Sequence, residues 1–325
     1  MLSRVAERLY WMTRYMERAE DTARLINAVT LMTLDMPGEV NFGWSTLLNV
    51  AGLDEQFRDH YPEANEKNVM RFLIQDERNP SSIMTCIAHA RENTRTFREV
   101  LPSESWEWVN ELYLYAKSAL PGDLDRRQRY EALQGIIRRR QSIVGLLSGT
   151  MSRDDAFQFL RLGRNIERAN MTSRILDVSY AVILPDEIPA GAQCSSLLWM
   201  NILKALSAYQ MYRRHVSVHA DSAQVVDFLL HNHLFPRTVA HCLAEIAEVV
   251  QTLPHAERVL ASVRTSQQML DGANSSALTT TGLHEFIDQI QIGLIAIDSA
   301  LRESYFRHID TRLPGSSIAG ADAAE

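Results

Sequence analysis

Apolar positions recur along this chain at three- and four-residue spacing almost from end to end, and no segment shows the strict alternation of a strand. From residue 2 to 35 the stripe runs through Val5, Leu9, Met12, Met16, Ala19, Ala23 and Ile26, with Pro37 and Gly38 expected to stop the helix. Shorter helices are predicted at about 42–51, 54–60 and 66–75. Another opens at Asn79-Pro80, read as cap and first turn, and runs to about Val100. Two long helices follow at about 103–119 and 124–149. Ser152 with Asp155 then forms a near capping box for a helix over about 153–184. Beyond the loop "LPDEIPAGAQ", helices are predicted at about 195–215, 222–232, 236–252, 255–270 and 281–309. The closing stretch, 311–325, is small, polar and unpatterned, and is expected to be disordered.

The second half repeats the first. "RYMERAEDTAR" (Arg14 to Arg24) returns as "RNIERANMTSR" (Arg164 to Arg174), an offset of 150. Trp44 pairs with Trp199 and "FRDH" from Phe57 with "YRRH" from Tyr212, both at 155. "FLIQDERNPSSIMTCIA" from Phe72 aligns with "FLLHNHLFPRTVAHCLA" from Phe228 at 156. Four collinear matches with a slowly drifting offset read as two copies of one helical unit. The expected architecture is all-α: two tandem pseudo-symmetric multi-helix units, 1–151 and 152–310, packed as one helical body.

On a helix advancing 100° per residue, Arg14, Glu17, Arg18, Asp21, Thr22 and Arg24 share a polar arc opposite Met12, Tyr15, Met16, Ala19, Ala23 and Ile26. Arg164, Glu167, Arg168, Thr172 and Arg174 do the same in the second copy. Three readings fit. The faces are solvated and laced by weak charge pairs, or they meet as a buried Glu-Arg network that docks the halves. In the third reading the network is a site, its arginines gripping a carboxylate or phosphate and Glu17 or Glu167 orienting them or acting as base.

At 325 residues, 46% hydrophobic and 22% charged, the composition is that of a globular protein. No apolar run is long enough to span a bilayer, the first twenty residues are too charged for a signal peptide, and a cytoplasmic location is the default expectation. A net charge of −7 disfavours nucleic acid and anionic membranes. Among 33 basic residues only Lys67, Lys117 and Lys204 are lysines, so arginine dominates, the residue suited to partly buried ion pairs. "RRQRYEALQGIIRRR", from Arg126, is read as an amphipathic helix in preference to a basic patch. Cys86 and Cys242 occupy equivalent apolar positions and are read as small core residues, and with Cys194 the three are too dispersed for a zinc site or disulfide framework.

Familiar chemistry is missing from the string. No histidine follows a glutamate at Glu-x-x-His spacing, against a di-iron bundle. His-Glu-x-x-His, P-loop and dinucleotide motifs are absent as well. "HNH" at 231–233 is read as helix-terminal polar residues. No metal or cofactor is expected.

The segments "LSRVAERLYWMTRYMERAEDTARL", "NPSSI", "GRNIERANMTSRIL" and "FPRTVAHCL" resemble the Alpha-E family, a bacterial all-helical domain of unknown function named for its Glu-Arg motif. The resemblance spans about residues 1–310. It implies association with circularly permuted ATP-grasp proteins and transglutaminase-like proteins, hence a system that makes or processes amide bonds in a peptide or small metabolite. Carried over by position, the family's motif residues are Glu17, Arg18, Glu167 and Arg168. The expectation that follows is an accessory or binding partner of an ATP-grasp amide ligase, its paired Glu-Arg polar face binding the ligase or an acidic peptide or nucleotide substrate. A stand-alone enzyme on a carboxylate or amide substrate, or a purely structural module, are the alternatives.

Overall fold

Among the described residues, each segment predicted from the apolar stripe is helical over most of its length. The computed structural model describes residues 3–35, 44–183, 191–279 and 281–306, the side chains of 34–35, 178–183 and 191–195 excepted. Among the described residues all regular structure is helical. The first half holds α1 (Ser3–Asp35), α2 (Ser45–Ala51), α3 (Asp54–Arg58), α4 (Glu66–Ile74), α5 (Ile83–Thr96), α6 (Ser103–Ala119) and α7 (Arg126–Thr150). The second holds α8 (Asp155–Ile183), α9 (Gly191–Ala205), α10 (Tyr209–His215), α11 (Ser222–His231), α12 (Val239–Gln251), α13 (Glu257–Asp271), the short α14 (Ser275–Leu278) and α15 (Leu283–Leu301). The expected stop at Pro37-Gly38, most of the 184–193 loop and the 311–325 tail lie outside the described residues.

Differences from the predicted boundaries come from local polar chemistry. The helix predicted from Asn79-Pro80 starts later: Ser82 is the cap of α5 and accepts from the Thr85 N–H, while Asn79 braces the preceding turn by donating to the Phe72 carbonyl. Likewise Asp154, not Ser152, accepts from the Phe157 N–H at the start of α8. The single helix predicted over 195–215 is two, α9 and α10, parted where Ser207 takes a left-handed φ of 57°. The last helix ends at Leu301 and passes into a wide turn, Arg302–Phe306, whose Phe306 ring packs on Tyr10. Helix α14 has too few residues to show a period and was not predicted.

Two long helices occupy the centre. α1 lies along α8 and α5 and also packs on α7, and α8 also packs on α12 and α15, with α6 and α13 outside them. The apolar stripe of α1 (Leu9, Met12, Met16, Ala23, Ile26) is buried in a single core drawn from both halves. The expected boundary falls in the link 151–154, from which α8 returns against α1. Several local contacts recur at the sequence offset of 156. Ser82 and Thr238 cap α5 and α12, and Cys86 and Cys242 lie against the carbonyls of Pro80 and Pro236.

α1 and α8 approach each other tightly at Gly163, where a Cβ would stand 2.2 Å from the Tyr10 carbonyl oxygen and 2.4 Å from Thr13 Oγ1. Backbone cannot yield as a side-chain tip can, so Gly163→Ala is expected to destabilise by about 1–3 kcal/mol or more. Urea unfolding measures it. Gly149→Ala, whose added methyl meets nothing within 4 Å, is the control expected to stay at or above wild type.

Candidate functional site

The two polar faces meet. Glu17 of α1 is wholly buried: Arg168 Nε donates to Oε1 at 2.9 Å, Arg237 is ion-paired to the same oxygen at 2.8 Å, and Arg140 holds Oε2. Glu167 of α8 is 1% exposed and takes Arg18 on both oxygens, at 2.6 and 3.1 Å, and Arg14 Nε at 2.9 Å. The arginine that follows each glutamate, Arg18 and Arg168, therefore crosses to the other motif's glutamate. A solvated face is excluded by this burial; weak exposed charge pairs are not what these residues make.

Further groups close around this centre. Glu20 accepts from Arg24 at 2.8 Å and is ion-paired to Arg140 at 2.8 Å, while Asp21 accepts from Arg237 Nη1 at 2.5 Å. Arg14 also donates to Asp298 of α15 at 2.7 Å, an oxygen it shares with the Tyr10 hydroxyl, and lies over the Trp11 ring. Thr172 donates to the Arg237 carbonyl at 2.7 Å, and Thr22 is buried next to Asp21 in the chain. Arg174 stands apart from the carboxylates. It donates to Asn170 at 3.2 Å and presses on Gly52, where a Cβ would lie 2.0 Å from Nη1. Arg164 is different again: its Nε is buried without a hydrogen-bond partner, and among the described residues no carboxylate pairs with it.

Sequence reasoning missed Arg140, Arg237, Glu20, Asp298 and Tyr10. Arg140 was hidden in the basic helix, where four other arginines are also paired: Arg126 and Arg129 with Glu66, Arg127 with Glu131, and Arg139 with Glu111. Arg237 follows Pro236 where the first copy has Ser81, so the alignment itself marked it as a departure from the repeat. In all, seven arginines (14, 18, 24, 140, 164, 168 and 237) face five carboxylates (Glu17, Glu20, Asp21, Glu167 and Asp298).

Electrostatics separate these acids. Burial alone would raise Glu17 and Glu167, but the arginines on each outweigh it, and both are held below the ordinary carboxylate range. Asp21 goes the other way: burial, with Glu17 and Glu20 beside it, overcomes Arg237 and pushes it up to about 7. Arg237 is the one arginine ion-paired to Asp21 among the described residues, and Asp21 shares it with Glu17 and Glu20. Asp21 is protonated more readily folded than unfolded, so its contribution to stability is fully present below 3.8 and is lost as pH rises through about 7. The stability of Asp21→Asn relative to wild type is therefore expected to rise from pH 4 and to level off above about pH 7, read from urea midpoints. A difference independent of pH would contradict this assignment. Burial, together with Arg168 and Arg140, lowers Arg164 to about 10 against partial relief from Glu17 and Glu245.

Other constellations are structural. Burial pushes the Cys86 and Cys242 thiols up to about 12, the reverse of what a nucleophile needs. Asp227, His231 and Ser275 converge, but Asp227 and Ser275 both face Nδ1 while Nε2 faces the Leu270 carbonyl, so no relay runs through the ring. His231 ends α11 and Asn232 accepts from the Leu234 and Phe235 N–H groups, the helix-terminal role read for "HNH". Asp177, His284 and Asp288 lie close enough to share an ion, yet two of the three are exposed and His284 is flanked by carboxylates on both nitrogens, as in a surface ion pair. A cavity of about 370 Å³ between α4 and the α6–α7 turn, floored by Met70, Ile74, Leu120 and Leu124, is lined by none of the motif residues.

Among known proteins, one family model matches residues 1–306; it describes a predicted alpha-helical domain with a conserved ER motif. Neither the curated proteins nor the solved structures contain a match. No helix among the described residues is long and apolar enough to cross a membrane.

Proposed function

The chain belongs to the Alpha-E family, and from that premise we propose that it is a non-catalytic binding partner of an ATP-grasp amide ligase. It would act in the cytoplasm, in a system that makes or processes amide bonds and that also includes a transglutaminase-like protein. One observation carries the non-catalytic part. Glu17 and Glu167 are buried, gripped by arginines on both oxygens and held ionised, whereas a general base must reach its substrate and titrate near the working pH. On this reading the motif sets how two pseudo-symmetric units dock, and recognition belongs to surfaces the motif supports. The motif face itself, expected from sequence to touch the ligase or its substrate, is spent on the other half of the chain.

The test has two parts. The tagged full chain is drawn from its native cells and its partners identified by mass spectrometry, and the purified chain is assayed alone and with the recovered ligase. Recovery of an ATP-grasp protein whose ATP turnover or product yield changes on adding an inert chain is the expected result. Amide formation or hydrolysis by the chain alone would favour the enzyme alternative, and a failure to recover any such protein would favour the structural module.

A further inference from the structure

Halfway along its length α15 is apolar on two sides. Its inner stripe, which includes Leu283, Ile287, Ile290, Leu294 and Ile297, is buried in the core. A helix at the surface carries polar residues on the opposite face, yet there α15 holds Ile292 and Ile295, 57% and 65% exposed, with the exposed Ala296 beside them. Polar residues return toward both ends of this arc: Glu285 and Asp288 on one side, Ser299 and Arg302 on the other, all exposed. The positions 285, 288, 292, 295, 299 and 302 alternate three- and four-residue steps, the spacing of a seam between two packed helices. Glu285 and Arg302 make no ion pair among the described residues. Glu303, next to Arg302, is held by Arg258 of α13, and Glu7, which lines the same hollow of about 300 Å³ as Arg302, belongs to α1 and not to the seam.

We propose that this seam joins a second copy of the chain, the two α15 helices lying antiparallel about a two-fold axis that passes between Ile292 and Ile295. The register follows from the positions. Setting Ile292 against Ile295 of the second copy also sets Asp288 against Ser299 and Glu285 against Arg302, because the three pairs share one midpoint, and two-fold symmetry makes each contact twice. The apolar pairs fall at the centre and the unlike charges at the rim, where they select orientation. A parallel pairing would instead set Glu285 on Glu285 and Arg302 on Arg302. α6 shows that this match is not general: it exposes Trp108 and Leu114, but the antiparallel pairing that joins those two sets Glu111 against its own copy. A seam of about 25 Å is at the small end of specific interfaces, so the dimer is expected to form over micromolar concentrations. The surface is independent of the ligase reading, because it is measured on the purified chain alone.

Sedimentation velocity of the full chain from about 1 to 200 µM is the readout, and the mass is expected to rise with concentration from 36.9 kDa toward twice that value. Replacing both Ile292→Ser and Ile295→Ser is expected to weaken association about a hundred-fold or more. Both side chains are exposed in the single chain, so the melting temperature of this variant is expected to equal that of monomeric wild type. The charges test the register. Glu285→Arg alone and Arg302→Glu alone each oppose like charges and are expected to weaken the dimer about three- to ten-fold, whereas the two together restore unlike pairs and are expected to recover wild-type association. A wild type that stays monomeric at every concentration, association unchanged by the two serines, or charge variants whose losses add instead of cancelling would each overturn the proposal. A monomeric wild type together with a serine variant of lowered melting temperature would overturn it in favour of a segment of the same chain covering the face.

Discussion

Replacing Glu17 by glutamine is expected to lower the unfolding free energy by about 3–5 kcal/mol, although the two side chains have nearly the same shape. The loss is electrostatic. Arg140, Arg168 and Arg237 converge on this carboxylate in a fully buried setting, and removing its charge leaves three guanidinium groups facing one another without their anion. Exposed ion pairs yield roughly 0–1 kcal/mol, so the size of the effect distinguishes a keystone from a surface pair. The pH dependence carries a second signature. The folded state holds Glu17 below its ordinary 4.5, so its stabilising contribution is present above that value and disappears as pH falls. Urea unfolding should therefore show the gap between wild type and Glu17→Gln widest near neutrality and closing in acid.

Arg237→Met should cost a similar amount, about 3–5 kcal/mol, with a different pH profile. Methionine fills the space of the stem, but Glu17, Glu20 and Asp21 lose the cation they share. Buried acids deprived of a counter-ion take up protons. Asp21, already pushed up to about 7 with Arg237 present, is the first to do so. A raised folded pKa means stability that is present at low pH and lost as pH rises, so the deficit of Arg237→Met is expected to shrink on going from pH 8 to pH 5. Midpoints of urea unfolding at the two values measure it, and a deficit that grows in acid would contradict the assignment.

The helices were legible because nearly every one is amphipathic or apolar over several turns, and the period survives in a single sequence. Where the reading slipped, the deciding interaction was local and short. Ser82 and Asp154 displaced the expected caps at Asn79 and Ser152, and the left-handed Ser207 split one predicted helix into two. The motif posed a different problem. Its repetition, and the sharing of one face by Arg14, Glu17, Arg18 and their counterparts, could be read from spacing alone. Burial of that face could not, because hydropathy assigns a charged stripe to solvent and says nothing of a second charged stripe placed against it. α1 is buried on both sides, its apolar stripe in the core and its polar arc against α8. Arg140 and Arg237 were missed since each arrives from a distant segment, and only the tertiary arrangement brings them to Glu17.

The same comparison explains why identical motif positions have unequal roles. Arg18 and Arg168 both cross to the opposite glutamate, but Arg14 and Arg164 do not share a fate, because Arg140 and Arg237 have no counterparts in the other cluster. One half of the repeat is saturated with carboxylates of its own chain, and the other is left with a cation to spare.

Whether the Glu-Arg contacts are an energetic unit of the fold is measured directly by a double-mutant cycle between Arg18 and Glu167. Wild type, Arg18→Met, Glu167→Gln and the double variant are unfolded in urea at pH 7. Both single changes are expected to destabilise, and the double change should cost less than their sum by about 1–3 kcal/mol, the range for partners in one network. Single variants at wild-type stability whose effects add within about 0.5 kcal/mol would show that the motif does not hold the halves together, and its residues would return as candidates for chemistry.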